Sequence, residues 1–290
     1  MMGLVAAVAC YVYWGLIVIY WVALAQVDSQ ELLMHRVVWT FVLTLFVMGF
    51  RGTLREYLAA YRNRKVFWWH CLGAALLAAN WYLFVYGVTH GRIADASLGY
   101  FLCPFVTIFW GRVIEKEKLS RTQWVSIVLA GLGVARIAWS IGEVPVIATG
   151  IALTWGTFSI VKKRSNRGIF SGLGLEMSIL TPFAIAYLLW FGVKGEIVWG
   201  TLGGSFDLLI ASTGFVTMVP LLLYAYAVKR VSLTTMGLLQ YVMPTIGLAI
   251  AVFVYEEPFG RERLVAFCSI WLGLALYAMD SFRNARKSRA

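Results

Sequence analysis

The sequence predicts an all-α integral membrane protein with ten transmembrane helices, arranged as two inverted five-helix repeats over residues 1–140 and 141–290. Three observations predict it. Only 13% of the 290 residues are charged while 61% are hydrophobic, against about 25% charged in an ordinary globular protein. Such a chain cannot cover a soluble surface, and its apolar runs approach the ~20 residues that span a bilayer. Second, the chain repeats itself at an offset of 140. Pro104 and Glu117 recur as Pro244 and Glu257, Arg121 as Arg261, Gly133 as Gly273 and Tyr86 as Tyr226, and Trp14-Gly15 recurs as Trp155-Gly156 at an offset of 141. Third, the basic residues concentrate in alternate connections between the apolar runs, and so on one side.

The ten runs fall near 3–25, 30–50, 66–89, 94–113, 121–140, 145–163, 172–192, 204–228, 232–254 and 261–281. The connections are short, which excludes a soluble catalytic domain. The first run ends in Ala23-Leu24-Ala25, which mimics a signal-peptidase site, but no basic leader precedes it and its apolar stretch is too long. It reads as a retained helix. Alternate connections and the C-terminal tail hold 19 of the Lys and Arg residues, and the opposite side holds only Arg92, Lys194, Arg261 and Arg263. Both termini are therefore expected in the cytoplasm. Five helices per repeat is an odd number, so the second copy must enter from the opposite side. Such chains build their binding site near the bilayer midplane between the halves.

The net charge of +11 comes from these short loops, where it suits anionic lipid and not nucleic acid. Cys10, Cys71, Cys103 and Cys268 all lie inside apolar runs without a CxxC pair, and read as small hydrophobes, not as disulfide or metal ligands. No Gly-rich phosphate loop, HExxH or metal-ligand cluster is present, so neither cofactor nor metal is expected and ATP-driven transport by this chain alone is excluded.

Polar residues within lipid-spanning stretches are costly and face protein or water. His35 and Arg36 lie one to two turns into the second run. Arg36 is suited either to a ligand carboxylate or to snorkelling toward the interface, and His35 either to gating or proton transfer or to capping a neighbouring helix. Asn80 sits mid-span in the third run. In the fourth, Ser97, Tyr100, Pro104 and Thr107 share a face, and the ninth presents Gly237, Gln240, Pro244 and Gly247 at the same spacing. Asn80, Tyr100 and Gln240 are candidates for substrate hydrogen bonds, with interhelical polar pairing as the competing role. Trp14 and Trp155, the repeat mates, are candidates for an aromatic wall. Glu176, a turn into the seventh run, is a candidate coupling group or a helix N-terminal acid. Glu117 and Glu257, at helix ends beside basic residues, read as structural.

Several stretches resemble a known family: ELLMHRVVW (Glu31 to Trp39), NWYLFVYGV (Asn80 to Val88), SLGYFLCPFV (Ser97 to Val106), TMVPLLLY (Thr217 to Tyr224) and GLLQYVMPT (Gly237 to Thr245). With Glu117 and Glu257 they follow, over nearly the whole chain, the order of the RarD family within the EamA-type drug/metabolite transporter superfamily. The chain departs from that pattern at its start, which leads almost directly into the first helix. The resemblance implies ten helices, two EamA repeats and export or exchange of small metabolites. The expected partners are a small-molecule substrate, such as an amino acid or amphipathic compound, and membrane lipid, with the protein a monomer or homodimer in the cytoplasmic membrane. A lipid-modifying membrane enzyme would need clustered acids and histidines at one face, whereas His35, His70 and His90 are scattered. A passive channel would need a continuous polar path, whereas the polar residues are isolated.

Overall fold

The computed structural model describes residues 1–141, 145–256 and 260–287, and all regular secondary structure among them is helical. Thirteen helical segments occur there: α1 (Met2–Leu16), α2 (Val18–Ala23), α3 (Ser29–Phe50), α4 (Leu54–Arg62), α5 (Arg64–Thr89), α6 (Ile93–Val113), α7 (Arg121–Ile141), α8 (Val146–Arg164), α9 (Ile169–Val193), α10 (Gly204–Val228), α11 (Leu233–Leu239), α12 (Val242–Phe253) and α13 (Arg261–Lys287). Helix covers every one of the ten apolar stretches. Eight spans, counting α1 with α2 and α11 with α12 as one each, are long and apolar enough to cross a membrane; in α13 the apolar part is the shorter Leu264–Asp280. In α8 the last turn carries Lys162, Lys163 and Arg164, where cations complement the negative end of the helix dipole. The short α4 was not foreseen. It is a connection whose Tyr57 and Ala60 are buried.

Local chemistry sets the boundaries. Asp28 caps α3 by accepting from the backbone N–H groups of Gln30 and Glu31, at 2.8 and 3.3 Å. Asn63 caps α5 through Val66 N–H at 3.2 Å, and Ser232 caps α11 through Thr235 N–H at 3.0 Å. The turn after α3 passes through Gly52 at φ 67°, a conformation in which a β-carbon would be strained.

The two halves interdigitate. Helix α6 packs on α8, α1 on α10 and α12, α3 on α10, and α7 on α13. Some of these approaches are reciprocal. A β-carbon on Gly15 would lie 2.7 Å from Ile246 Cβ, and one on Gly156 would lie 2.6 Å from Val106 Cβ. Residues 15 and 156 are repeat mates, and so are 106 and 246. Likewise a β-carbon on Gly133 would meet the Ala266 carbonyl oxygen at 2.5 Å, and one on Gly273 the Ser126 carbonyl oxygen at 2.6 Å. Residue i facing j′ while i′ faces j is the pattern of a two-fold interface. Glycine at these points lets helix backbones approach closely in an apolar medium.

Glu117 ties the halves together at one end. Its carboxylate accepts from the backbone N–H of Leu233 (2.6 Å), the N–H of Thr234 (2.9 Å) and the Thr234 hydroxyl (2.7 Å), so an acid of one half caps α11 of the other. Arg112 donates to the Glu117 carbonyl. Glu257 lies outside the described residues. Glu117→Ala strips the first turn of α11 of its acceptor and is expected to cost about 2 kcal/mol. Thermal unfolding of the purified protein measures this, and a midpoint equal to that of the parent refutes the capping role.

Candidate functional site

A cavity of about 1350 Å³ lies between the halves. The six residues singled out as ligand contacts, Trp14, Arg36, Asn80, Tyr100, Trp155 and Gln240, all line it. They come from α1, α3, α5, α6 and α8 and from the break between α11 and α12, where Gln240 and Tyr241 separate two helices that a single run had suggested. The lining extends to Trp21 in α2, Ile93 at the start of α6, Ile137 near the end of α7, Ala251 near the end of α12 and Gly260 before α13. If successive spans alternate in direction, these ends all lie on the face remote from the N-terminus of α1.

At its inner end the cavity meets an aromatic floor. Trp14 and Trp155 stand edge to face with ring centroids 5.3 Å apart, and Tyr224 lies 5.9 Å from the first and 5.0 Å from the second. Tyr11 and Phe158 complete the group, and both are fully buried. The Tyr224 hydroxyl shares a hydrogen bond with Ser159, whose own hydroxyl is within 2.9 Å of the Trp155 carbonyl. Edge-to-face packing of this kind favours a fixed arrangement of rings. The Trp14 and Trp155 rings, 141 residues apart in sequence, thus contact each other directly.

Arg36 is held against the cavity wall by three groups. Its Nε–H donates to Thr217 Oγ1 at 3.2 Å, and its guanidinium carbon lies 5.0 Å from the Trp21 ring and 4.7 Å from the Trp81 ring. No carboxylate lies within ion-pair distance of it among the described residues. Two acids on other helices have other partners: Asp95 sits 3.0 Å from Arg92 and accepts from Ala148 N–H at 2.9 Å, while Asp207 accepts from Gly200 N–H at 2.8 Å. The rings face an arginine that is permanently charged, and cation–π contact offsets part of its desolvation.

The remaining three, Asn80, Tyr100 and Gln240, differ in how far they are engaged. Asn80 is 1% exposed, and its amide donates to the Ile151 carbonyl at 3.0 Å and Thr154 Oγ1 at 3.1 Å. It joins α5 to α8 while facing the cavity. Tyr100 leans edge-on against Phe84 with centroids 5.5 Å apart. Gln240 Oε1 and Trp155 Nε1 are buried and have no hydrogen-bond partner.

His35 and Glu176 do not line this cavity. The His35 ring stacks on Trp199 at 4.8 Å, and its Nε2 is 3.6 Å from Glu31 Oε1. Glu31 in turn accepts from the backbone N–H groups of Val198 and Trp199 at 2.9–3.0 Å. Together they hold the connection between α9 and α10. Glu176 sits near the opposite face, completely buried, with its carboxylate 3.0 Å from Lys162 Nζ and 3.1 Å from His70 Nδ1; Ser165 Oγ lies 3.2 Å from His70 Nε2. Lys162 is 4% exposed, although its position at the end of an apolar run assigned it to a loop. Trp21, Trp81, Phe84 and Thr217 also line the cavity and were not foreseen. Trp81 adjoins Asn80 in sequence, which was the one available cue.

The chain is similar to transporters along its whole length. A model of the EamA-like transporter family matches residues 1–139 and 145–279. Protein RarD of Streptomyces exfoliatus is 35% identical over 99% of this chain and 91% of its own length. The uncharacterized transporter YojE of Bacillus subtilis (strain 168) is 33% identical over 99% and 97%, and Protein RarD of Escherichia coli (strain K12) is 32% identical over 99% and 97%. A solved crystal structure superposes with a TM-score of 0.74 over 94% of this chain and 96% of the other at 15% identity, a likeness of fold.

Proposed function

Because the chain belongs to the EamA-like transporter family, we propose that it is a secondary transporter moving small organic metabolites, such as amino acids or amphipathic compounds, across the cytoplasmic membrane by alternating access. In this reading ten helices cross the membrane, residues 1–140 and 141–290 are inverted repeats, and both termini face the cytoplasm. The described conformation is then the outward-open one. Two things support the repeat reading: the family model matches the chain twice, and the glycine approaches are reciprocal. The observation that carries the mechanism is a large cavity that reaches the ends of α2, α7 and α12 and the start of α6 and is lined at depth by the Trp14–Trp155 pair. Rocking the halves about that floor would part the rings, close the mouth and expose the ligand to the other side. A passive channel needs no such floor.

The test is flux in liposomes. Uptake of a bound metabolite is expected to saturate and to accelerate when the same metabolite is present on the far side. Flux that rises linearly with concentration and ignores the far side overturns alternating access. Orientation is tested on single cysteines in a background lacking Cys10, Cys71, Cys103 and Cys268. Gly260→Cys is expected to react with an impermeant thiol reagent on intact cells, and Lys118→Cys only after permeabilisation. The reverse pattern inverts the proposed topology.

A further inference from the structure

The cavity wall carries a charge of one sign. Among the described residues that line it there is no Asp or Glu, whereas Arg36 points its guanidinium into it. Arg36 has five N–H donors, and the protein supplies one side-chain acceptor, Thr217 Oγ1. The Trp21 and Trp81 faces attract the cation but accept no conventional hydrogen bond. A second donor in the lining, the Trp155 indole N–H, is buried and has no acceptor. Arg136 also lines the mouth and has interactions of its own. Buried donors without acceptors and a cation without a carboxylate are both costly in a membrane interior. An oxyanion on a ligand would supply Arg36 with both acceptors and a countercharge, whereas the Trp155 N–H is enclosed by protein and stays out of a ligand's reach. The rest of the lining is largely apolar, with the rings of Trp14, Trp81, Phe84 and Tyr100 among aliphatic side chains such as Ile17, Leu221 and Leu248, which matches an apolar or aromatic body on that anion.

We infer that the ligand class is an organic anion, a carboxylate on an apolar or aromatic body, whose carboxylate is received by Arg36. This rests on the transporter reading above and narrows it. A planar guanidinium receives a carboxylate through two parallel hydrogen bonds, which an ammonium cannot reproduce. An amine on the ligand meets no carboxylate among the described lining residues, so it is tolerated and not required. Cationic amphiphiles are excluded: the tryptophan faces nearest the site are already occupied by Arg36.

The experiment measures binding to the purified full-length protein in lipid nanodiscs, by quenching of tryptophan fluorescence and by thermal shift. The probes are a panel of arylalkyl and alkyl carboxylates, each beside its primary amide, its amine and its α-amino acid. The acids are expected to bind at least tenfold more tightly than the matched amides, the amino acids within a few-fold of the acids, and the amines not at all. Arg36→Lys is expected to weaken the acids tenfold or more and leave the amides unchanged. Thr217→Val, which removes the acceptor that orients Arg36, is expected to weaken the acids several-fold and serves as the reporter if Arg36→Lys fails to fold. Acids that bind no better than amides or amines across the panel, or acid binding indifferent to both substitutions, overturn the inference. Flux separates it from the broader reading: acid binding without saturable flux leaves the anion site and removes the transporter, whereas saturable flux of amines but not acids does the reverse.

Discussion

Glu176→Leu is expected to eliminate most of the folded protein, and adding Lys162→Met is expected to bring most of it back. The acid is wholly buried between α5, α8 and α9, with both carboxylate oxygens 3.0 Å from Lys162 Nζ and one of them 3.1 Å from His70 Nδ1. Two glycines make the space. A β-carbon on Gly73 would lie 3.0 Å from Glu176 Oε1, and one on Gly172 the same distance from the His70 ring. Removing one partner of a buried pair leaves the other charge without compensation and costs about 3–5 kcal/mol, whereas replacing both with apolar groups of similar volume is often neutral. Against a total stability of about 5–15 kcal/mol the single change is severe. The measurement is the monodisperse fraction by size-exclusion chromatography and the thermal midpoint of single and double variants. A double variant as poor as the single one refutes the charge explanation, and a single variant like the parent refutes the pair itself.

That cluster also marks where sequence reading stopped. Runs of apolar residues and a repeated Pro–Glu spacing are local patterns, and they located all ten helical stretches. Whether Lys162 ends a helix in water or turns back into protein depends on what stands opposite it, and the opposing acid belongs to the next helix, antiparallel to it. His35 and Glu176 are 141 residues apart, the offset that relates Trp14 to Trp155, and both are read from the sequence as candidates for gating or coupling. The structure gives them different neighbours: a stacked tryptophan ring and Glu31 for one, a lysine and a histidine for the other. Repeats preserve backbone better than side-chain chemistry. In the cavity the legible residues were those marked twice, by repeat symmetry or by a polar side chain in mid-span. Trp21 and Trp81 carried neither mark in a chain with 13 tryptophans, and only the cation they flank sets them apart.

The second large effect is expected where α7 and α13 press backbone against backbone. A β-carbon on Gly133 would stand 2.5 Å from the Ala266 carbonyl oxygen, and one on Gly273 2.6 Å from the Ser126 carbonyl oxygen. The obstacle is backbone, so no rotamer change relieves it; α7 and α13 must move apart. Alanine gains up to about 1 kcal/mol over glycine in helix propensity, while overpacking costs about 1–3 kcal/mol, and against a rigid carbonyl the upper end applies. Each of Gly133→Ala and Gly273→Ala is therefore expected to destabilise by about 2 kcal/mol, and the two by similar amounts because their surroundings are related by the local two-fold. Ile137 on α7 and Phe267 on α13 line the cavity, so ligand affinity should fall with stability. The double variant distinguishes close packing from two independent lesions. Once one alanine has separated the helices, the second meets less resistance, so the double loss should fall well short of the sum. Thermal midpoints of the four proteins test this. Fully additive losses would mean that the two glycines sense different surroundings, and the reciprocal interface would have to be abandoned.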